Sequence, residues 1–119
     1  MVRILLAEDD DNLRGFLARA LGRAGHEVTA FSRGESAYEA LKQADFDLLL
    51  TDIVMHEMDG VELARLAGEL DPRLKIMFVT GFAAVALSLD SATPGNAKIL
   101  SKPFHLRNLV CEVDRMIAA

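Results

Sequence analysis

The sequence predicts an α/β fold in which five short strands alternate with helices around a parallel sheet, and three observations carry that expectation. Of the 119 residues 51% are apolar, enough to build one core between a sheet and its helices. The runs Ile4-Leu5-Leu6-Ala7, Leu48-Leu49-Leu50-Thr51, Ile76-Met77-Phe78-Val79 and Ile99-Leu100-Ser101 have strand length and are continuous rather than alternating, as strands of a doubly covered parallel sheet are. Helical patterns lie between them with short connections, which is the signature of repeated βα units.

In order, strands are expected at Val2 to Ala7, near Glu27 to Phe31, at Asp47 to Thr51, at Lys75 to Thr80 and at Ala97 to Leu100. The first helix carries Leu13, Phe16, Leu17, Ala20, Leu21 and Ala24 at a 3.6-residue period. Asp11 or Asn12 is available to cap its start and Gly25 to end it. Further helices are read at Glu35 to Ala44, near Gly60 to Glu69, and at Leu106 to Ile117, where Leu106, Leu109, Val110, Val113 and Ile117 share one face. A short helix over Ala83 to Asp90, apolar without clean periodicity, completes a set of five and is followed by a long loop. A segment that buries so little is a candidate for the part that moves.

Composition narrows the function classes. The size suits a single domain over residues 1–119 with no effector domain. No apolar stretch approaches the roughly 20 residues needed to cross a bilayer, and the start runs straight into a strand, so a cytoplasmic protein is expected. One cysteine, Cys111, rules out an internal disulfide and a cysteine-rich zinc site. A net charge of −5 and the lack of any Lys/Arg cluster argue against nucleic acid as a partner. Output is then expected to be a contact with another protein.

The predicted strands end on complementary chemistry. In open α/β sheets ligands bind beyond the carboxyl ends of the strands, so Glu8 and Asp9, Asp52, Thr80 and Lys102 should share one crevice. A carboxylate such as Asp52 can attack a phosphoryl group to give an acyl phosphate, given a divalent cation to offset the repulsion of two anions. Glu8 and Asp9 suit Mg²⁺, which takes one or two carboxylates and completes its shell with waters and phosphate oxygens. Thr80 offers a hydroxyl and Lys102 a point charge to phosphoryl oxygens. Each residue has a plainer role: Asp10 and Asp11 as helix caps, a lone Asp or Thr as a turn residue, a Lys before Pro as solvated surface. Taken singly those roles prevail; four strand ends carrying the parts of one phosphoryl site are improbable as coincidence.

Over its whole length the chain resembles the response-regulator receiver domains of two-component signalling. The matching pieces are Leu6-Ala7-Glu8-Asp9-Asp10 with Arg14, Thr51-Asp52-Ile53-Val54-Met55 leading to Met58-Asp59-Gly60, Val79-Thr80-Gly81, and Ser101-Lys102-Pro103-Phe104. The resemblance implies a doubly wound five-stranded sheet of order 2-1-3-4-5. It implies that Asp52 is the phosphoacceptor for a histidine kinase or phosphotransfer protein. Glu8, Asp9, Asp52 and the backbone carbonyl of Val54 would bind Mg²⁺, while Thr80 and Lys102 would contact phosphoryl oxygens. Such a domain is a switch rather than an enzyme, although it can catalyse its own phosphorylation and dephosphorylation.

Two departures from the family pattern stand out. His56 occupies a position that is usually Pro. Ile99 stands where the family's switch often has an aromatic, so coupling by a Tyr rotamer flip is excluded, and the Ile99 face and Phe82 become the expected reporters. Gly81 to Leu87 and Leu100 to Leu106 are similar to stand-alone alphaproteobacterial receivers of the CpdR kind. Members of that subgroup are linked to cell-cycle control and act, when unphosphorylated, as adaptors for the protease ClpXP. That similarity places a partner surface near the first helix and makes Ala118-Ala119 either a degradation signal or a frayed end.

Two other classes are weighed against this one. A metal-dependent aspartyl-phosphate phosphohydrolase of the haloacid dehalogenase type wants a second Asp two positions after the nucleophile, where Val54 stands. A flavin-binding domain would offer hydroxyls and amides after the first strand, rather than Glu8-Asp9-Asp10-Asp11.

Overall fold

The computed structural model describes residues 2–55, 58–80, 97–101 and 105–118, with the side chains of Thr80, Ala97 and Ser101 left outside that description. The expected helix at 83–90, the proposed reporter Phe82, and His56, Gly81, Lys102, Pro103 and Phe104 therefore lie outside the described residues.

Five strands form one parallel sheet: β1 (Arg3–Ala7), β2 (Glu27–Phe31), β3 (Leu48–Asp52), β4 (Lys75–Thr80) and β5 (Ala97–Ser101), in the order β2-β1-β3-β4-β5. Four helices stand among the described residues: α1 (Asp11–Arg23), α2 (Gly34–Gln43), α3 (Gly60–Leu70) and α4 (Leu106–Ala118). The doubly wound order 2-1-3-4-5 is thus present, and it places β1 and β3 side by side at the switch point where the chain reverses direction.

Continuous apolar strands build two cores because alternate side chains leave opposite faces. Ile4, Leu6, Leu48, Leu50, Met77 and Val79 meet Leu17 and Leu21 of α1 and Leu109 and Val113 of α4. On the other face Leu5, Ala7, Leu49, Ile76 and Phe78 meet Ala37 of α2 and Leu63, Ala64 and Ala67 of α3. Each wholly buried Leu contributes about 2 kcal/mol relative to an exposed one. Ile99 pairs with Phe78 in register and packs, partly buried, against the second core.

Several local expectations are corrected. Of the capping residues read at the start of α1, Asp10 is the cap, as its plainer role has it, and Asp11 and Asn12 are not: its carboxylate accepts from the Leu13 amide at 3.0 Å, and Asp11 is already helical. Phe16 leaves the buried stripe and is 50% exposed, its ring covered by the Arg19 guanidinium at 5.2 Å, because the sheet face is met by Leu13, Leu17, Ala18 and Leu21 instead. Strands β1 and β3 begin one residue later than expected, and β3 and β5 extend one residue further, to Asp52 and Ser101.

The end of α1 is as read. Gly25 has φ +97° and donates to the Gly22 carbonyl at 3.1 Å, while the His26 amide reaches back to Leu21 at 3.2 Å. These two bonds make a Schellman stop, which a residue with a Cβ resists.

Candidate functional site

β1 and β3 run in parallel register, Ala7 beside Thr51, so the next residues along, Glu8 and Asp52, emerge together at the carboxyl end of the sheet. Glu8 is fully buried, Asp52 is 7% exposed and Asp9 is partly buried. One carboxylate oxygen from each of Glu8, Asp9 and Asp52 lies within 4.8 Å of the others. Three like charges at that spacing, two of them buried, are costly without a counter-charge. Hard oxygen donors so arranged fit a small divalent cation that keeps part of its water shell.

Glu8 is held from three directions. Its amide donates to the Phe31 carbonyl at 3.0 Å, its carboxylate accepts from the Asp10 amide at 3.1 Å, and its carbonyl accepts from Arg14 Nη1 at 3.0 Å. Arg14 Nη2 meanwhile meets Asp11 at 2.6 Å.

Asp52 is fixed through its backbone. The buried Thr51 hydroxyl donates to the Asp52 carbonyl at 2.9 Å, and the amide of Ile53 donates to Val79 of β4 at 3.2 Å. The chain then turns, and α3 returns against it: Gly60 donates to the Ile53 carbonyl at 2.8 Å, and Asp59 caps the helix by accepting from the Glu62 amide at 2.9 Å. A Cβ on Gly60 would stand 1.9 Å from the Asp52 carbonyl oxygen, so no other residue lets α3 start so close to the site.

Of the residues expected in the crevice, Glu8, Asp9 and Asp52 are brought together. Thr80 ends β4 one residue beyond Val79, the register partner of Asp52, which puts its backbone at the same sheet edge. Val54 follows Asp52 in the turn, with its side chain 51% exposed. Lys102 lies outside the described residues. Three contributors were missed as functional residues: Thr51, Arg14 and Gly60 hold the site without entering it. A glycine at the first position of a capped helix was the available signal for Gly60.

A family model, the response regulator receiver domain, matches residues 4–114. The chain belongs to the response regulator receiver family. The receiver is 65% identical over 119 residues to a protein of Brucella abortus described as response regulator receiver protein CpdR, covering all of this chain and 99% of that protein. A response regulator receiver protein from Sinorhizobium medicae is similar in structure, with TM-score 0.92, 38% identity and coverage of 99% of this chain and 95% of that one. The response regulator TrrA of Thermotoga maritima, solved in complex with Mg²⁺-BeF, has TM-score 0.87 and 27% identity, covering 98% of this chain and 99% of that one. The acidic cluster Glu8, Asp9 and Asp52 is the kind of pocket at which receiver domains bind Mg²⁺. No helix among the described residues is long and apolar enough to cross a membrane.

Proposed function

We propose that this receiver is a phosphorylation switch in which Asp52 accepts a phosphoryl group from a histidine kinase or phosphotransfer protein and thereby changes the affinity of the domain for a protein target. The observation that carries the reading is the meeting of Glu8, Asp9 and Asp52 oxygens within 4.8 Å at the switch point of the sheet. The Mg²⁺-BeF complex of the similar TrrA supports Mg²⁺ as the metal.

Bound Mg²⁺ supplies positive charge that screens the carboxylates from an incoming phosphoryl group and stabilises its spreading charge. Glu8, Asp9, Asp52 and the Val54 carbonyl are the residues we assign to hold it. An Asp52 carboxylate oxygen attacks phosphorus, the P–N bond to the donor imidazole breaks, and the freed imidazole takes up a proton. Thr80 and Lys102 are assigned to the phosphoryl oxygens, the first by its hydroxyl and the second by its ammonium. The bound phosphoryl group redistributes two conformers of the domain, and the partner reads the redistribution.

The 65% identity to the Brucella protein described as response regulator receiver protein CpdR supports a receiver of that kind, whose output is a protein contact. Resemblance to the CpdR kind makes ClpXP the target we assign, bound when Asp52 is unphosphorylated. Affinity capture of ClpX by wild type and by Asp52→Ala, with and without a phosphodonor, tests the switch. Capture by both bare proteins, lost only from wild type on adding the phosphodonor, is expected. Equal capture under all conditions contradicts it.

A further inference from the structure

We propose that Arg14 is a positioning residue for the metal pocket, acting through the Glu8 carbonyl; the inference rests on the reading of Glu8, Asp9 and Asp52 as a Mg²⁺ site. Arg14 lies in the first turn of α1, where its own amide donates to the Asp10 carbonyl at 2.9 Å. Its side chain is three-quarters covered, with only 23% exposed. One arm of the guanidinium donates to the Glu8 carbonyl at 3.0 Å and the other to the Asp11 carboxylate at 2.6 Å. The peptide it grips is the one that joins Glu8 to Asp9, so one contact restrains the backbone from which both carboxylates project.

Two features make this more than a surface ion pair. A planar fork holds two acceptors in a fixed relation, which a lysine ammonium does not reproduce. Asp11, 85% exposed on the outer side, compensates the guanidinium charge, so Arg14 sits beside a cation pocket with its repulsion offset. The Asp10 amide bond to the Glu8 carboxylate closes the same loop from within, and the amide of Glu8 anchors it to β2. The acidic loop is thus tied to the helix, to itself and to the sheet, and Arg14 supplies the helix tie.

The proposal has a sign that distinguishes it from simple electrostatics. Removing a positive charge near a cation site tightens cation binding; removing a clamp on the ligand-bearing peptide weakens it. Isothermal titration of the full chain with MgCl₂ reads the difference, and thermal unfolding without metal checks that each variant is folded. Arg14→Ala is expected to weaken Mg²⁺ binding about tenfold, the range seen when outer partners of metal ligands are removed. Arg14→Lys, which keeps the charge and loses the fork, is expected to weaken it by a similar factor, and it decides the matter should Arg14→Ala fail to fold. Unchanged or tighter binding in a folded variant, beside a wild type that binds, overturns the role of Arg14 and leaves the Mg²⁺ reading standing. A wild type that takes up no Mg²⁺ overturns both.

Discussion

Gly60 lies against the carbonyl of Asp52, so closely that a single methyl group on Gly60 would stand 1.9 Å from the Asp52 oxygen and 2.9 Å from Ile53 Cα. The neighbours are backbone, which cannot swing aside. The first residue of α3 is therefore part of the mould that holds the β3 end in place.

Gly60→Ala is expected to destabilise the domain by about 2 kcal/mol or more, as overpacking against fixed atoms does. Urea unfolding measures the loss, and MgCl₂ titration should show weaker binding because Asp52 is displaced. A Gly60→Ala protein as stable as wild type would show that the close approach is not held in solution.

Much of the fold was legible because buried parallel strands carry their signal locally. β2 and β4 match their expected bounds, and β1, β3, β4 and β5 occur where continuous apolar runs predict them, while the edge strand β2 carries no such run. Gathering the site was legible for the same reason: strand ends of one sheet share an edge, so Glu8, Asp9 and Asp52 meet. What failed was decided between elements. Phe16 fits the helical period yet is exposed, since period alone does not say how far round the helix the sheet reaches. The cap fell to Asp10 because Asp10, Asp11 and Asn12 are equivalent as capping residues, and the end of β1 sets which one comes first. The roles of Arg14 and Gly60 depend on contacts with residues 6 and 8 positions away whose direction no local pattern encodes.

Metal binding should stabilise the fold, because it relieves repulsion among three gathered carboxylates. At Mg²⁺ a hundredfold above its Kd the gain is about 2.7 kcal/mol, a rise in Tm of the order of 10 °C for a domain of this size. Differential scanning calorimetry with and without Mg²⁺ measures it. The double variant Glu8→Gln, Asp9→Asn should show no such rise, and an undiminished rise would place the metal elsewhere.

Asp10→Ala should cost about 1 kcal/mol through loss of the α1 cap. Its amide, which serves Glu8, remains. Chemical denaturation reads the cost; no change would mean that the 3.0 Å bond to the Leu13 amide contributes nothing net.

On α3, Arg65 grips both oxygens of Glu62, at 2.7 and 3.1 Å, and holds its carboxyl below the usual carboxylate range. A folded-state pKa lowered in this way adds stability above the unfolded value, near 4.5, and the addition is lost as pH falls through the lowered folded value. Wild type should exceed Glu62→Gln slightly in Tm at neutral pH and converge with it in acid. A gap that widened in acid would contradict the sign.

Phosphorylation itself is tested most directly by incubating the protein with a radiolabelled small acyl-phosphate donor and Mg²⁺, and mapping the labelled residue. One alkali-labile phosphoryl group per chain on Asp52 is expected, absent when Mg²⁺ is chelated and absent from a folded Asp52→Asn variant. Labelling of Asp52→Asn to the same stoichiometry would contradict Asp52 as the acceptor.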